Sequence, residues 1–100
     1  MIPVYIAESA LGDIGRLWDE LARLSVDAAS RIAAEGVEAA LSLREFPERY
    51  PVEDRVPGGR CRRFTVRSVS IFYVVTDAQV EVLRVVSAAA DMSTLELRPS

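Results

Sequence analysis

Apolar residues recur at every second position at the start of this chain, then at every third and fourth, then at every second again. Ile2, Val4 and Ile6 share one face of a short β-prone run. Pro3 cannot donate a ladder hydrogen bond, so this run is expected at a sheet edge or as a strand start. Ser9 then reads as an N-cap for a helix to about Leu24. Leu11, Ile14, Leu17, Trp18, Leu21 and Leu24 fall on one stripe of it. Asp13, Arg16, Asp19, Glu20 and Arg23 are expected mostly on the solvated side, with Arg16 and Glu20, and Asp19 and Arg23, spaced for ion pairs. Ser25 is a second N-cap, and Asp27 suits the first turn of a helix from Val26 to about Arg44. The buried stripe of that helix is made mostly of small residues: Ala29, Ile32, Ala33, Gly36, Val37, Ala40, Leu41 and Leu43 or Arg44. With only one or two residues between them, the helices must form an antiparallel hairpin.

The helical period ends at FPERYPVEDRVPGG, a loop of about fifteen residues punctuated by Pro47, Pro51, Pro57, Gly58 and Gly59. Phe46 and Tyr50 are expected to pin it to the core. Three strands follow, over 60–68, 69–76 and 79–87, with Asp77-Ala78 where a two-residue hairpin turn belongs. The middle one (VSIFYVVT) is apolar on both faces and is expected to be central. The order β-α-α-β-β-β predicts an α+β fold, a helical hairpin packed on a mainly antiparallel four-stranded sheet. Residues 1–100 form a single domain, with 88–100 a weakly patterned tail that a partner could order.

Half of the residues are apolar, enough for a real core. With no histidine and one cysteine, Cys61, an internal disulfide and a Cys/His metal site are excluded, and no cofactor is expected. No apolar run approaches the roughly 18–20 residues of a membrane span. The opening MIPVYIAES lacks the basic region of a signal peptide. The expectation is a soluble cytoplasmic protein without a membrane partner.

Charge is segregated. Residues 8–54 carry five arginines and eleven acids, net −6, whereas RVPGGRCRRFTVR at 55–67 carries five arginines and no acid. Such a segment reads as a charged edge strand guarded against aggregation, as a docking surface for an acidic partner, or as a contact for nucleic-acid phosphates. Alternation places Arg62 with Phe64 and Val66 toward the core. It places Arg63 and Arg67 together on the open face with Cys61 and Thr65. Arg60 leads into the strand. Arg84 is in phase with Val80, Val82 and Val86. Inside a core it would need a carboxylate or carbonyl partner; near the strand end its head could reach solvent, which is the expectation. Glu53-Asp54 reads as a solvated pair and Gly58-Gly59 as a turn, not a phosphate loop. No catalytic constellation emerges.

Three stretches carry a resemblance. ALGDI opens the first helix, LREFPERYPVEDRVPGGRCRRFTV spans the loop and second strand, and VSIFYVVTDAQVEVLRVVSAAAD spans the last strand pair. In this order the chain resembles the RelE/ParE toxin superfamily, closest to its ParE branch. The resemblance implies a type II toxin neutralised by a cognate antitoxin of ribbon-helix-helix type. It implies DNA gyrase as target and no sequence-specific nucleic-acid binding. The alternatives are a RelE-type ribosome-dependent mRNA endonuclease and a non-toxic interaction module. Where many relatives end the fourth strand in a His-Gly-Arg-Arg-Asp-like run, this chain reads Ser87-Ala88-Ala89-Ala90-Asp91. The late arginine and C-terminal tyrosine of the RelE-type acid–base set have no counterpart here. Candidate target or partner contacts are Arg60, Arg62, Arg63, Arg67, Arg84 and Asp91. Leu11, Ile14, Trp18 and Leu21 are the candidate antitoxin groove.

Overall fold

The computed structural model describes residues 2–53 and 60–88. Its elements run β1 (Val4–Ile6), α1 (Glu8–Ala22), α2 (Val26–Ser42), β2 (Arg62–Val66), β3 (Val69–Val75) and β4 (Val80–Ser87). The order and the two-layer architecture match the pattern read from the sequence. The sheet order is β1-β4-β3-β2, with β3 inside it as its two-sided apolar pattern requires. β2, β3 and β4 are antiparallel neighbours, while β1 joins β4 in parallel, so the sheet is mixed. A parallel pair needs a long crossover, and here the helical hairpin, the loop and two further strands lie between β1 and β4.

Local chemistry sets the boundaries. Ser25 accepts a hydrogen bond from the Ala28 N–H at 3.1 Å and caps α2 as expected. α1, by contrast, begins one residue before Ser9, after Ala7, with no side-chain cap. The Ser9 hydroxyl instead donates to the Leu83 carbonyl at 2.9 Å, which ties the helix to β4. In the β3–β4 turn, Thr76 does what a glycine would otherwise do. Its hydroxyl accepts the N–H groups of Ala78 and Gln79 at 3.3 and 3.0 Å. β2 starts at Arg62, so Arg60 precedes the strand, and it ends at Val66, two residues short of the expected span at each end.

The core lies between the helices and the inner face of the sheet. Tyr73, Leu43, Val80 and Val82 are buried there with Ala10 and Ala40. Each large apolar side chain taken from water contributes about 1.5–3 kcal/mol. A bulge shifts the β3–β4 register, so that Phe72 faces Arg84 while Tyr73 faces Val82. The extra residue, Leu83, breaks the run Val80, Val82, Arg84 that simple alternation puts on one face. Val85 takes the inward place and joins the core.

The 46–53 loop is strapped down. The Tyr73 hydroxyl donates to the Pro47 carbonyl at 2.7 Å, and Tyr50 stacks on Phe64 with ring centroids 4.5 Å apart. Tyr50 pins the loop as expected; Phe46 does not, being 68 % exposed. The tip at 54–59 and the tail beyond Ala88 lie outside the described residues.

Candidate functional site

The arginines grouped by the sequence part company in three dimensions. Arg62 turns toward the helix side beside Phe64, where its Nη1 donates to the Tyr50 carbonyl at 2.6 Å and the Glu48 carbonyl at 3.3 Å. It ties the loop to β2. Arg63 lies on the opposite face. Its Nε and Nη2 donate to the Ser70 hydroxyl at 3.2 and 3.0 Å, and its guanidinium sits 5.7 Å from the centre of the Phe72 ring. Arg60 is exposed ahead of the strand.

Arg67 does not join Arg63 on the open face. β2 has ended, and Arg67 with Ser68 makes the two-residue turn into β3. Arg67 is the one non-glycine residue with positive φ (56°) among those described. From there its guanidinium turns to the helix side and forms a fork with the Glu35 carboxylate of α2, the Nη2–Oε1 bond measuring 2.9 Å. Strand alternation cannot be extended into a turn, and this is why the expected pair of arginines fails.

Arg84 is not a solvent-facing strand end. Its Nε and Nη2 donate to the Asp13 carboxylate at 2.7 and 2.9 Å. Asp13, expected on the solvated side of α1, is 4 % exposed. It also accepts from the Val85 N–H at 3.0 Å and from Arg16 Nη2 at 2.7 Å. β1 stops at Ile6, and beyond it the edge of β4 is satisfied by α1: Ser9 takes the Leu83 carbonyl and Asp13 takes the Val85 N–H. Burial on its own would raise the pKa of Asp13. The bonds from Arg84, the Val85 N–H and Arg16 outweigh it and hold the carboxyl below its ordinary value. Two signals pointed here. Asp13 lies three residues from the buried Ala10, on the same helix face, and a semi-buried Arg84 needs a carboxylate.

Of the four groove residues, Ile14, Trp18 and Leu21 line one wall of a cavity of about 90 Å³. Small residues of α2, including Ala33 and Gly36, form the other wall, and Val66, Val69 and Ile71 the floor. Leu11 stands apart on the solvent side of the hairpin, 56 % exposed. Trp18, Val37 and Leu41 are exposed too, at 38, 50 and 42 %. With Leu11 and Trp18 seven apart on α1 and Val37 and Leu41 four apart on α2, each helix presents an apolar stripe at its own period. That is more apolar surface than a hairpin needs for its own core.

Cys61 is buried, and burial first, then the charge of Glu53, pushes its thiol up to about 11. A thiol so raised is a poor nucleophile at neutral pH. Among the described residues no cluster of His, Cys, Asp and Glu could hold a metal. No helix there is long and apolar enough to cross a membrane. Asp91 lies outside the described residues.

The model of the family described as "ParE toxin of type II toxin-antitoxin system, parDE" matches residues 4–92. The chain belongs to the ParE toxin family. Asp13, Arg84 and the arginine strand all fall inside the ParE match, as does Asp91. Among solved structures, the fold is similar to a chain of the "Chromosomal ParDE TA system from P. aeruginosa", with a TM-score of 0.76. The two share 20 % identity over 87 % of this chain and 96 % of that one. A comparison with curated proteins finds no match.

Proposed function

We propose that this ParE-family protein is the toxin of a type II module, held inactive by a cognate antitoxin and acting on DNA gyrase in the cytoplasm. The family match over residues 4–92 carries the reading. The apolar hairpin supports it, because Leu11, Trp18, Val37 and Leu41 are exposed as they would be in a protein normally held by a partner. An amphipathic antitoxin segment from a ribbon-helix-helix protein laid along this face would bury those side chains. Ile14, Trp18 and Leu21 would form the wall it meets.

The chemistry favours gyrase over mRNA as target. Ribonuclease action needs groups that exchange protons near neutral pH, and the chain has no histidine to supply one. Arginine stabilises charge but keeps its proton. Arg60 and Arg63 are candidate target contacts on this reading, and the Ser87–Asp91 segment is a further one.

Purified protein added to a gyrase supercoiling reaction should trap cleaved DNA, and an equimolar antitoxin should reverse the effect. Absence of trapping at micromolar excess rejects the gyrase target. New mRNA ends upon induction, found by primer extension, would establish the endonuclease reading instead. Unimpaired growth on induction without antitoxin would leave a non-toxic interaction module.

A further inference from the structure

α2 is buried most fully near its two ends and less at its centre, where Ile32 packs on the rim of the core. Ala29 and Ala40 are buried, whereas Ile32, Ala33 and Gly36 between them are only half-buried over the cavity of about 90 Å³. A Cβ placed on Gly36 would meet nothing within 4 Å, so the middle of the helix does not press on the sheet through that position. Next in sequence to the lining residues Val66 and Gly36, the Arg67–Glu35 fork joins the β2–β3 turn to the middle of α2 across 32 positions of sequence.

One feature sets this contact apart from an incidental surface ion pair. Arg67 holds a left-handed conformation in which glycine is usual, at a steric cost that a flexible surface side chain does not require. The contact is also partly open to water, with side-chain exposures of 52 and 35 % for Arg67 and Glu35, so it can be exchanged without breaking the core. A second cation waits for the released carboxylate. Arg31 lies one helical turn before Glu35, at the spacing from which its guanidinium can reach a released carboxylate.

We propose that the Arg67–Glu35 pair is a latch that holds the middle of α2 over the apolar cavity. Glu35 paired with Arg67 holds α2 at its present distance from the sheet, with the cavity narrow. Glu35 turned back to Arg31 frees α2 to rise and the cavity to admit an apolar side chain. The proposal concerns the isolated chain and stands whether or not an antitoxin is its partner, since its test contains none.

The test is amide hydrogen exchange together with binding of an apolar dye, anilinonaphthalene sulfonate, to the purified protein. Glu35→Gln removes the charge and keeps the size. Arg67→Gly removes the fork and also relieves the turn, which keeps the result interpretable if Glu35→Gln folds poorly. Both should speed exchange across 32–39 by about fivefold or more while β3 and β4 keep their rates, and both should raise dye fluorescence. The double variant Glu35→Arg with Arg67→Glu should restore slow exchange, and about 1 M salt should open the wild type by screening. Unchanged exchange in α2 in both single variants overturns the proposal. So does a rise shared equally by β3 and β4, which would mark the pair as general support for the fold.

Discussion

Asp13 and Arg84 stand 71 positions apart in the chain and meet through hydrogen bonds of 2.7 and 2.9 Å. The contact joins α1 to β4 just beyond the bulge, where β1 no longer covers the sheet edge. Asp13 therefore serves two demands at once, the charge of Arg84 and the N–H of Val85. Asp13→Asn should lower unfolding free energy by about 2–4 kcal/mol, because an amide cannot accept all of these bonds and leaves a half-buried guanidinium poorly paired. Urea unfolding measures it. A double-mutant cycle with Arg84→Met should give a coupling of roughly 1–3 kcal/mol.

The same carboxylate predicts a pH dependence. Its pKa is lowered in the folded protein, so the unfolded chain binds the proton more tightly. The stabilisation is complete above the unfolded carboxylate value of about 3.9 and is lost as pH falls below it, through the lowered folded value. In Asp13→Asn that contribution is absent, and the fall in stability below about pH 4 should be shallower than in the wild type. Circular dichroism melts between acid and neutral pH test this.

Arg62 and Arg63 are neighbours with opposite jobs. Arg62 donates to two loop carbonyls, so Arg62→Ala should cost about 1–2 kcal/mol and loosen the 46–53 loop. Arg63 bonds the buried Ser70 hydroxyl, which Thr65 also reaches at 3.4 Å, and Arg63→Ala should cost about 1 kcal/mol. On the proposed function, Arg63→Glu should weaken target or antitoxin binding more than stability. A thermal shift larger than the loss of affinity would make Arg63 a structural residue.

Cys61 should be silent in the folded state. With its thiol raised to about 11 and its side chain buried, iodoacetamide labelling at pH 7.5 should proceed only as fast as the protein opens. Labelling that keeps pace with a free thiol in buffer would show that β2 frays at its start.

Periodicity made the elements legible. Stripes at helical spacing located α1 and α2, and the two-sided apolar run of β3 placed it inside the sheet. Legibility failed where one residue answered to a tertiary demand. Ser9 looked like a cap but is drawn to Leu83, because the β4 edge needs a donor more than the helix needs an acceptor. Asp13 looked solvated because charge suggests water, yet helix phase put it beside Ala10. Arg67 looked like the next member of a strand, and only the turn that ends the strand reveals its other direction. The bulge at Leu83 was invisible for a related reason. A shift of one residue leaves no mark in composition and changes which side chain faces inward. Ile14, Trp18 and Leu21 were legible as one apolar stripe of α1, and they line the cavity together because helical spacing puts them on one face.

β4 has a consequence for how the protein is made. It pairs with β1 on one side and β3 on the other, and α1 docks on it through Ser9 and Asp13. The first strand thus has no partner, and the first helix only α2, until the last described strand has been synthesised. Folding must wait for contacts between the two ends of the chain, a topology that slows the search and rules out piecemeal completion on the ribosome. Any activity that depends on the assembled sheet begins only once translation has passed residue 87.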